Sequence, residues 1–177
     1  MGNGEIRFAV VDAGPLIHLR EIQSLSLLRI FRSLVLPDAV WQETVGRLRV
    51  LEDDLALLGN VERRHLPSDD VRPFVKKHDL GDLHRGECEA LFVCWNDSIQ
   101  LLLTDDLAVR DAAKRWGVTP VGSLGVIVRG YRERIISYEQ AVSRIRLLDQ
   151  VSTLFVTPAI VDLALEQLAQ YRVGAEF

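Results

Sequence analysis

"QLLLTDDLAVRDAAKRWGVTPVG", residues 100–122, decides how the rest of the chain is read. Leu101, Leu102 and Leu103 form an apolar run too short for a helix, which is the mark of a buried strand. Asp105 and Asp106 follow directly, two adjacent carboxylates whose charges repel. "LAVRDAAKRWG" then carries apolar residues at helical spacing and closes on Gly117, and "VTPVG" reads as another short strand. A strand, a helix and a strand in such quick succession form the crossover unit of a parallel sheet.

The same alternation extends towards both ends of the chain. "IRFAVV", residues 6–11, is a β-branched run that ends at Asp12-Ala13-Gly14-Pro15 and feeds the helical pattern "LIHLREI", with Pro15 suited to a first turn. "SLSLLRIF" continues helical, "LVLP" is a second strand, and Asp38 is placed to cap the helix "AVWQETV". "VLEDDLALL", residues 50–58, is helical up to Gly59-Asn60, with Glu52, Asp53 and Asp54 as its solvated face. "VERRHLP" reads as a strand, and a charged helix opens at Ser68 or Asp69 and is interrupted at Pro73. "DLHRGECEALFVCWN" is the best amphipathic helix in the chain, with Asp82 as its N-cap. After residue 122 come the helix "SLGVIVRGYRERI", a second helix "SYEQAVSRIRLL" started by Ser137, and "TPAIVDLALEQLAQY" with Thr157 as cap and Pro158 in the first turn. The expectation is an α/β fold with a central parallel sheet, one domain over residues 1–177, and C-terminal helices from about 137 to 172 packed on it.

Composition narrows the class. At 177 residues, 48% hydrophobic and 26% charged, the chain is globular in character. No apolar run approaches the ~20 residues of a membrane helix, and "MGNGEIRFAVVDAG" does not read as a signal peptide, so the expected location is the cytoplasm. The two cysteines, Cys88 and Cys94, suit neither a disulfide framework nor a zinc site and read as packing residues. A formal charge of −4 argues weakly against nucleic acid, because the placement of charges matters more than their sum.

Carboxylates stand where they are least expected. Ligand sites of open parallel sheets lie beyond the carboxyl ends of the strands, and Asp12, Asp105 and Asp106 all fall on that edge. In the helix after Asp82, Glu87 interrupts a stripe formed by Leu83, Ala90, Leu91 and Cys94, whereas Arg85 and Glu89 read as solvent-facing. Glu43 shares a face with Ala39 and Val40, and a plain surface glutamate is the alternative reading there. Clustered buried acids need protonation, cationic side chains or a bound cation. Arg85, Arg110 and Arg115 read as helix-exterior residues, so a hard divalent cation, Mg²⁺ or Mn²⁺, is the economical partner. Such a site suits phosphodiester or phosphomonoester hydrolysis.

"FAVVDAGPLIHL", "LVLPDAVWQETV", "LHRGECEALFV" and "LLLTDDLAVRDAAKRWG" together resemble the successive motifs of the PIN-domain nucleases, in order and spacing, from residue 6 to about residue 125. "GSLGVIVRGYRERI" and "VTPAIVDLALEQL" resemble one prokaryotic subgroup of that family. Carried over by position, the resemblance puts the acids on Asp12, Glu43, Glu87 and Asp106, with Thr104 supporting by hydrogen bonding and Asp105 and Asp111 as secondary candidates. The chain departs from many members in having Glu87 where they have Asp. The resemblance implies a three-layer α/β/α sandwich, Mg²⁺ or Mn²⁺ dependence, single-stranded RNA as substrate and frequent homodimers. It also implies, for toxin members of toxin-antitoxin pairs, a small antitoxin protein that blocks the site.

Arg110, Lys114 and Arg115, and further along Arg129, Arg132 and Arg134, are candidates to hold phosphates, set against ordinary solvated helix faces. Trp41, Trp95 and Trp116 could stack bases, although Trp95 and Trp116 read as core covers. His18, His65, His78 and His84 form no close-spaced ligand pair. "SLSLLRIF" and "LLDQVSTLF" suit either a partner surface or the core. Aspartyl-phosphate chemistry finds no second acid two residues after Asp12, and no P-loop is present. A metal-dependent ribonuclease is the leading expectation, and a catalytically weak nucleic-acid- or protein-binding module of the same fold is the alternative.

Overall fold

In the computed structural model, which describes residues 8–175, the strands are β1 (Phe8–Val11), β2 (Ser33–Pro37), β3 (Val61–Arg64), β4 (Leu101–Leu103) and β5 (Thr119–Val121). The helices are α1 (Ala13–Glu21), α2 (Asp38–Thr44), α3 (Glu52–Leu58), α4 (Ser68–Lys77), α5 (Arg85–Asn96), α6 (Leu107–Arg115), α7 (Ser123–Arg132), α8 (Tyr138–Gln150) and α9 (Pro158–Ala175). The strands form one five-stranded sheet in the order β3-β2-β1-β4-β5, every neighbouring pair parallel.

Strand alternation sorts the core into two layers. Ala9, Val11, Leu34, Leu36, Leu101 and Leu103 face one side, where Leu16 and Leu19 of α1, Leu55 of α3, Ile127 of α7, Ile145 of α8 and Leu168 of α9 cover them. Val10, Val35 and Leu102 face the other side and meet Phe74 of α4, Leu91 of α5 and Ala112 of α6. The sheet is therefore enclosed on both faces, as the expected α/β sandwich requires. Among the described residues no helix is long and apolar enough to cross a membrane. Cys88 and Cys94 are buried and free, and burial pushes their thiols up to about 11 and about 12, so both are packing residues and poor nucleophiles.

Several boundaries differ from the sequence reading. Residues 6 and 7 of the first expected strand lie outside the described residues. "SLSLLRIF" is not α-helical: Gln23 sits at φ 53°, breaks the continuation from α1, and leaves a 3₁₀ turn at Leu25–Ile30 whose leucines enter the core. Pro73 does not interrupt α4, which runs through it. Asp38 lies inside the first turn of α2 rather than capping it; Pro37 is the N-cap residue, and Asp38 instead accepts from Arg63 at 2.5 Å and pairs with His65 at 2.6 Å. Asp82 is not the cap of α5, which starts at Arg85 because Glu87 reaches back to the His84 N–H at 2.8 Å. At the other end Ser137 starts α8 as expected, and it forms a capping box with Gln140.

Candidate functional site

β1 lies at the centre of the sheet, and the chain turns from it first towards β2 and later towards β4. The helices that leave β1 and β4, α1 and α6, pack on opposite faces, so a crevice opens where those two strands end. Asp12 stands in it. Its N–H donates to the Leu103 carbonyl at 2.9 Å, which ties the residue to β4. One carboxylate oxygen accepts from the Ala13 N–H at 2.7 Å and the other from the Thr104 hydroxyl at 2.9 Å. The residue is only 5% exposed. Burial pushes its carboxyl up to about 7, the Ala13 and Thr104 hydrogen bonds oppose that shift, and the charges of Glu87 and Glu43 add to it.

Glu43 and Glu87 thus lie within electrostatic reach of Asp12, and both are partly buried. Glu43, near the end of α2, accepts from the Gly86 N–H in the first turn of α5 at 3.2 Å. Glycine leaves room for this contact: a Cβ would stand 2.8 Å and 2.9 Å from the two Glu43 oxygens, so a larger residue would push that carboxylate aside. Glu87, one residue on, is held by the His84 N–H. Asp12, Thr104, Glu43 and Glu87 are brought together from β1, the end of β4, α2 and α5.

The remaining sequence candidates divide differently. Asp106 is exposed and caps α6, accepting from the Val109 N–H at 2.9 Å, and its own N–H donates to the Thr104 hydroxyl at 3.3 Å. Asp105 neither caps α6 nor faces the crevice with a free oxygen. It accepts from the Ser123 N–H at 2.7 Å and hydroxyl at 2.6 Å and pairs with His18 Nδ1 at 2.8 Å. Asp111 is exposed and pairs with Lys114 at 3.3 Å. Arg110 is not a helix-exterior residue: it is partly buried and donates to the Thr104 carbonyl at 3.2 Å, while Lys114 and Arg115 are exposed. Arg129 leans on Glu133 and Phe31, and Arg132 lies over Tyr171. Trp95 and Trp116 pack in an aromatic group with Phe74 and His78, and Trp41 lies beneath Arg63 at 4.6 Å.

Glu89, expected to face solvent, is the reverse, only 1% exposed. It accepts from the Ala39 N–H at 2.9 Å and from Arg85 Nε at 2.8 Å. The signal for it was present in "CEALFVC", residues 88–94, which leaves α5 without a continuous polar face and so marks a helix buried nearly all round.

Among the described residues no group of three or more His, Cys, Asp or Glu side chains stands in a metal-holding arrangement. The donor set nevertheless suits a hard cation: the charges of Glu43 and Glu87 act on buried Asp12, and Asp12 has only a backbone N–H and a hydroxyl as hydrogen-bond partners among the described residues. Asp12, Glu43 and Glu87 are the residues that could hold it, with Thr104 orienting Asp12.

Comparison with known proteins agrees with this architecture. A family model described as a PIN domain matches residues 8–170, from β1 into α9, while no curated protein and no solved structure gives a match. PIN domains are typically nucleases and generally use divalent metals. With the parallel sheet, the crevice at its carboxyl edge and nearly the whole described chain under that match, this protein belongs to the PIN-domain family.

Proposed function

We propose that the chain is a metal-dependent ribonuclease that hydrolyses phosphodiester bonds of single-stranded RNA, using Mg²⁺ or Mn²⁺ held by Asp12, Glu43 and Glu87, with Asp106 at the rim. One observation carries the reading: Asp12 is buried beside two other carboxylates and its carboxyl is pushed up to about 7, an arrangement that a divalent cation would relieve. When bound, such a cation polarises a phosphoryl oxygen and lowers the pKa of a water. The chain's own residues prepare the place: Thr104 and Ala13 fix the Asp12 carboxylate, the Gly86 N–H fixes Glu43, and the His84 N–H fixes Glu87. Exposed Lys114 and Arg115, with partly buried Arg110 behind them, are the cations offered to the RNA backbone.

We place the protein in the cytoplasm as the toxin of a toxin-antitoxin pair of prokaryotic type. A small antitoxin or a second copy of the chain would find apolar side chains exposed at Val151, Phe155, Ile160 and Leu163. The second reading, a catalytically weak binding module of the same fold, draws on Asp106, which is exposed and engaged as a helix cap.

Incubation of single-stranded and duplex RNA with the protein in Mg²⁺, Mn²⁺ or EDTA separates the two readings. Cleavage of the single strand should require metal and should fall by at least about a hundredfold in Asp12→Asn, since the metal's contribution is worth several kcal/mol. Metal binding without turnover across a broad RNA panel would select the binding module.

Gly86→Ala supplies a finer check on the same residues. Alanine favours a helix by about 1 kcal/mol over glycine, which offsets much of the strain, so the melting temperature should change little. Its methyl, however, would stand 2.8 Å and 2.9 Å from the Glu43 oxygens and push that carboxylate aside. Mn²⁺ affinity should fall roughly tenfold or more, as when a ligand's supporting contact is lost. Unchanged affinity in a Mn²⁺ titration would remove Glu43 from the ligand set.

A further inference from the structure

α2 is a short helix with an unusual start. The first N–H groups of any helix lack intrahelical acceptors, and a side chain at the N-cap commonly satisfies one of them. Pro37 occupies that position in α2 and supplies no side-chain bond, and Asp38 is turned towards Arg63 and His65. The acceptor comes instead from another helix: Glu89 of α5 takes the Ala39 N–H at 2.9 Å.

Glu89 is the least exposed carboxylate among the described residues, and both of its oxygens are engaged, one by Ala39 and one by Arg85. Removing such a group from water is unfavourable unless its partners replace the lost hydration, so its place in the interior calls for a local reason. A second bond between the same two helices supplies one. Glu43 of α2 accepts from the Gly86 N–H of α5 at 3.2 Å. Along α2 the two contact residues are one helical turn apart, and along α5 they lie on adjacent turns of one face, so one bond fixes the height at which the other forms. The Glu43 carboxylate lies close against Gly86, since a single added methyl there would stand 2.8 Å and 2.9 Å from its two oxygens.

We propose that Glu89 is a positioning residue: its bond to the Ala39 N–H sets the axial register of α2 on α5 and thereby holds Glu43 beside Gly86 and Asp12. It acts through Glu43 and touches neither cation nor substrate. The inference rests on the reading of Glu43 as a metal-site carboxylate.

The test is Mn²⁺ affinity, read by electron paramagnetic resonance on the full chain, for wild type, Asp12→Asn, Glu89→Gln, Glu89→Asp, Glu89→Met and Val161→Ala. Glutamine keeps an oxygen at full reach for the Ala39 N–H and should bind Mn²⁺ within about threefold of wild type. Aspartate keeps the charge but falls short by one methylene, and methionine has the length without the acceptor. Both should weaken binding by roughly 10- to 100-fold, as loss of an outer-shell contact does. Val161→Ala, on α9 where it packs towards α7 and α8, lowers stability without touching α2 or α5 and should leave affinity unchanged.

The reverse order, with aspartate like wild type and glutamine weak, would show that the charge and not the strut matters and would overturn the assignment. Wild-type affinity in both Glu89→Asp and Glu89→Met would reduce Glu89 to a packing residue. Should wild type bind no Mn²⁺ that Asp12→Asn removes, the metal reading itself falls, and this inference with it.

Discussion

Asp12→Asn is expected to raise the melting temperature in metal-free buffer at pH 8 while abolishing the stabilisation that Mg²⁺ or Mn²⁺ gives to the wild type. The Asp12 carboxyl is raised from 3.8 to about 7, first by burial and then by Glu87 and Glu43. Between those two values the unfolded chain has released this proton and the folded chain has kept it. The folded state therefore binds more protons, and stability falls as pH rises from about 4 to about 7 and then levels off. At 1.36 kcal/mol per unit the full effect is at most about 4 kcal/mol. Asparagine stays neutral and can still accept from the Ala13 N–H, and its amide can donate to the Thr104 hydroxyl, which rotates to suit.

The variant should recover about half of that penalty, an increase of roughly 3 to 8 °C for a chain of this length. The decisive measurement is the difference in melting temperature between variant and wild type as a function of pH. It should be near zero at pH 4, grow to pH 7 and stay constant above. Adding Mn²⁺ at pH 8 should reverse the order, because ligand binding to the folded state stabilises the wild type as the logarithm of metal concentration over Kd. A variant that melts lower than wild type at pH 8 without metal would show that Asp12 is not held against its ionisation.

Much of this arrangement was legible because it depends on local pattern. Ala9-Val10-Val11 and Leu101-Leu102-Leu103 are uninterrupted apolar runs because both faces of the sheet are covered, and the acids after them fall on the carboxyl edge by topology alone. Glu87 was singled out by helical spacing, and it does lie within reach of Asp12. Readings failed where a residue's partner is distant in sequence. Asp38 looks like a cap by type, yet Arg63 and His65 draw it away and Glu89 takes over the helix start. Glu89 looks solvated if one buried stripe is assumed, but α5 is packed by the sheet, α2 and α4 at once. Asp82 satisfies the preference for capping residues, whereas the contact that sets the start of α5 is Glu87 with the His84 N–H. The raised Asp12 carboxyl was out of reach altogether, because it depends on the depth of burial and on charges from two other helices.

Asp105 shows how far two adjacent acids can part in role, and its removal should have the largest effect on stability. Asp106 caps the helix beside it, whereas Asp105 binds across the sheet's edge to α7 through Ser123 and to α1 through His18. Three hydrogen bonds to one carboxylate, its side chain 9% exposed, join helices that follow β1 and β5. Gly122 belongs to the same contact, since a Cβ there would stand 2.7 Å from an Asp105 oxygen. Hydrogen bonds to a charged group are worth about 1.5–3 kcal/mol each and do not add fully, and Asp105→Ala also leaves Ser123 and His18 unsatisfied. The expected loss is about 3 to 5 kcal/mol, a fall of roughly 6 to 20 °C in melting temperature. Asp105→Asn keeps an acceptor for the Ser123 N–H and should lose about a third as much. With three hydrogen bonds on its two oxygens, two of them on one oxygen, Asp105 has less left to offer a cation than Asp12, which carries one bond on each. Asp105→Asn should therefore bind Mn²⁺ within about threefold of wild type, well short of the 10- to 100-fold losses expected when metal-site contacts are removed. A variant that melts like wild type but has lost Mn²⁺ binding would move Asp105 from the scaffold into the metal site.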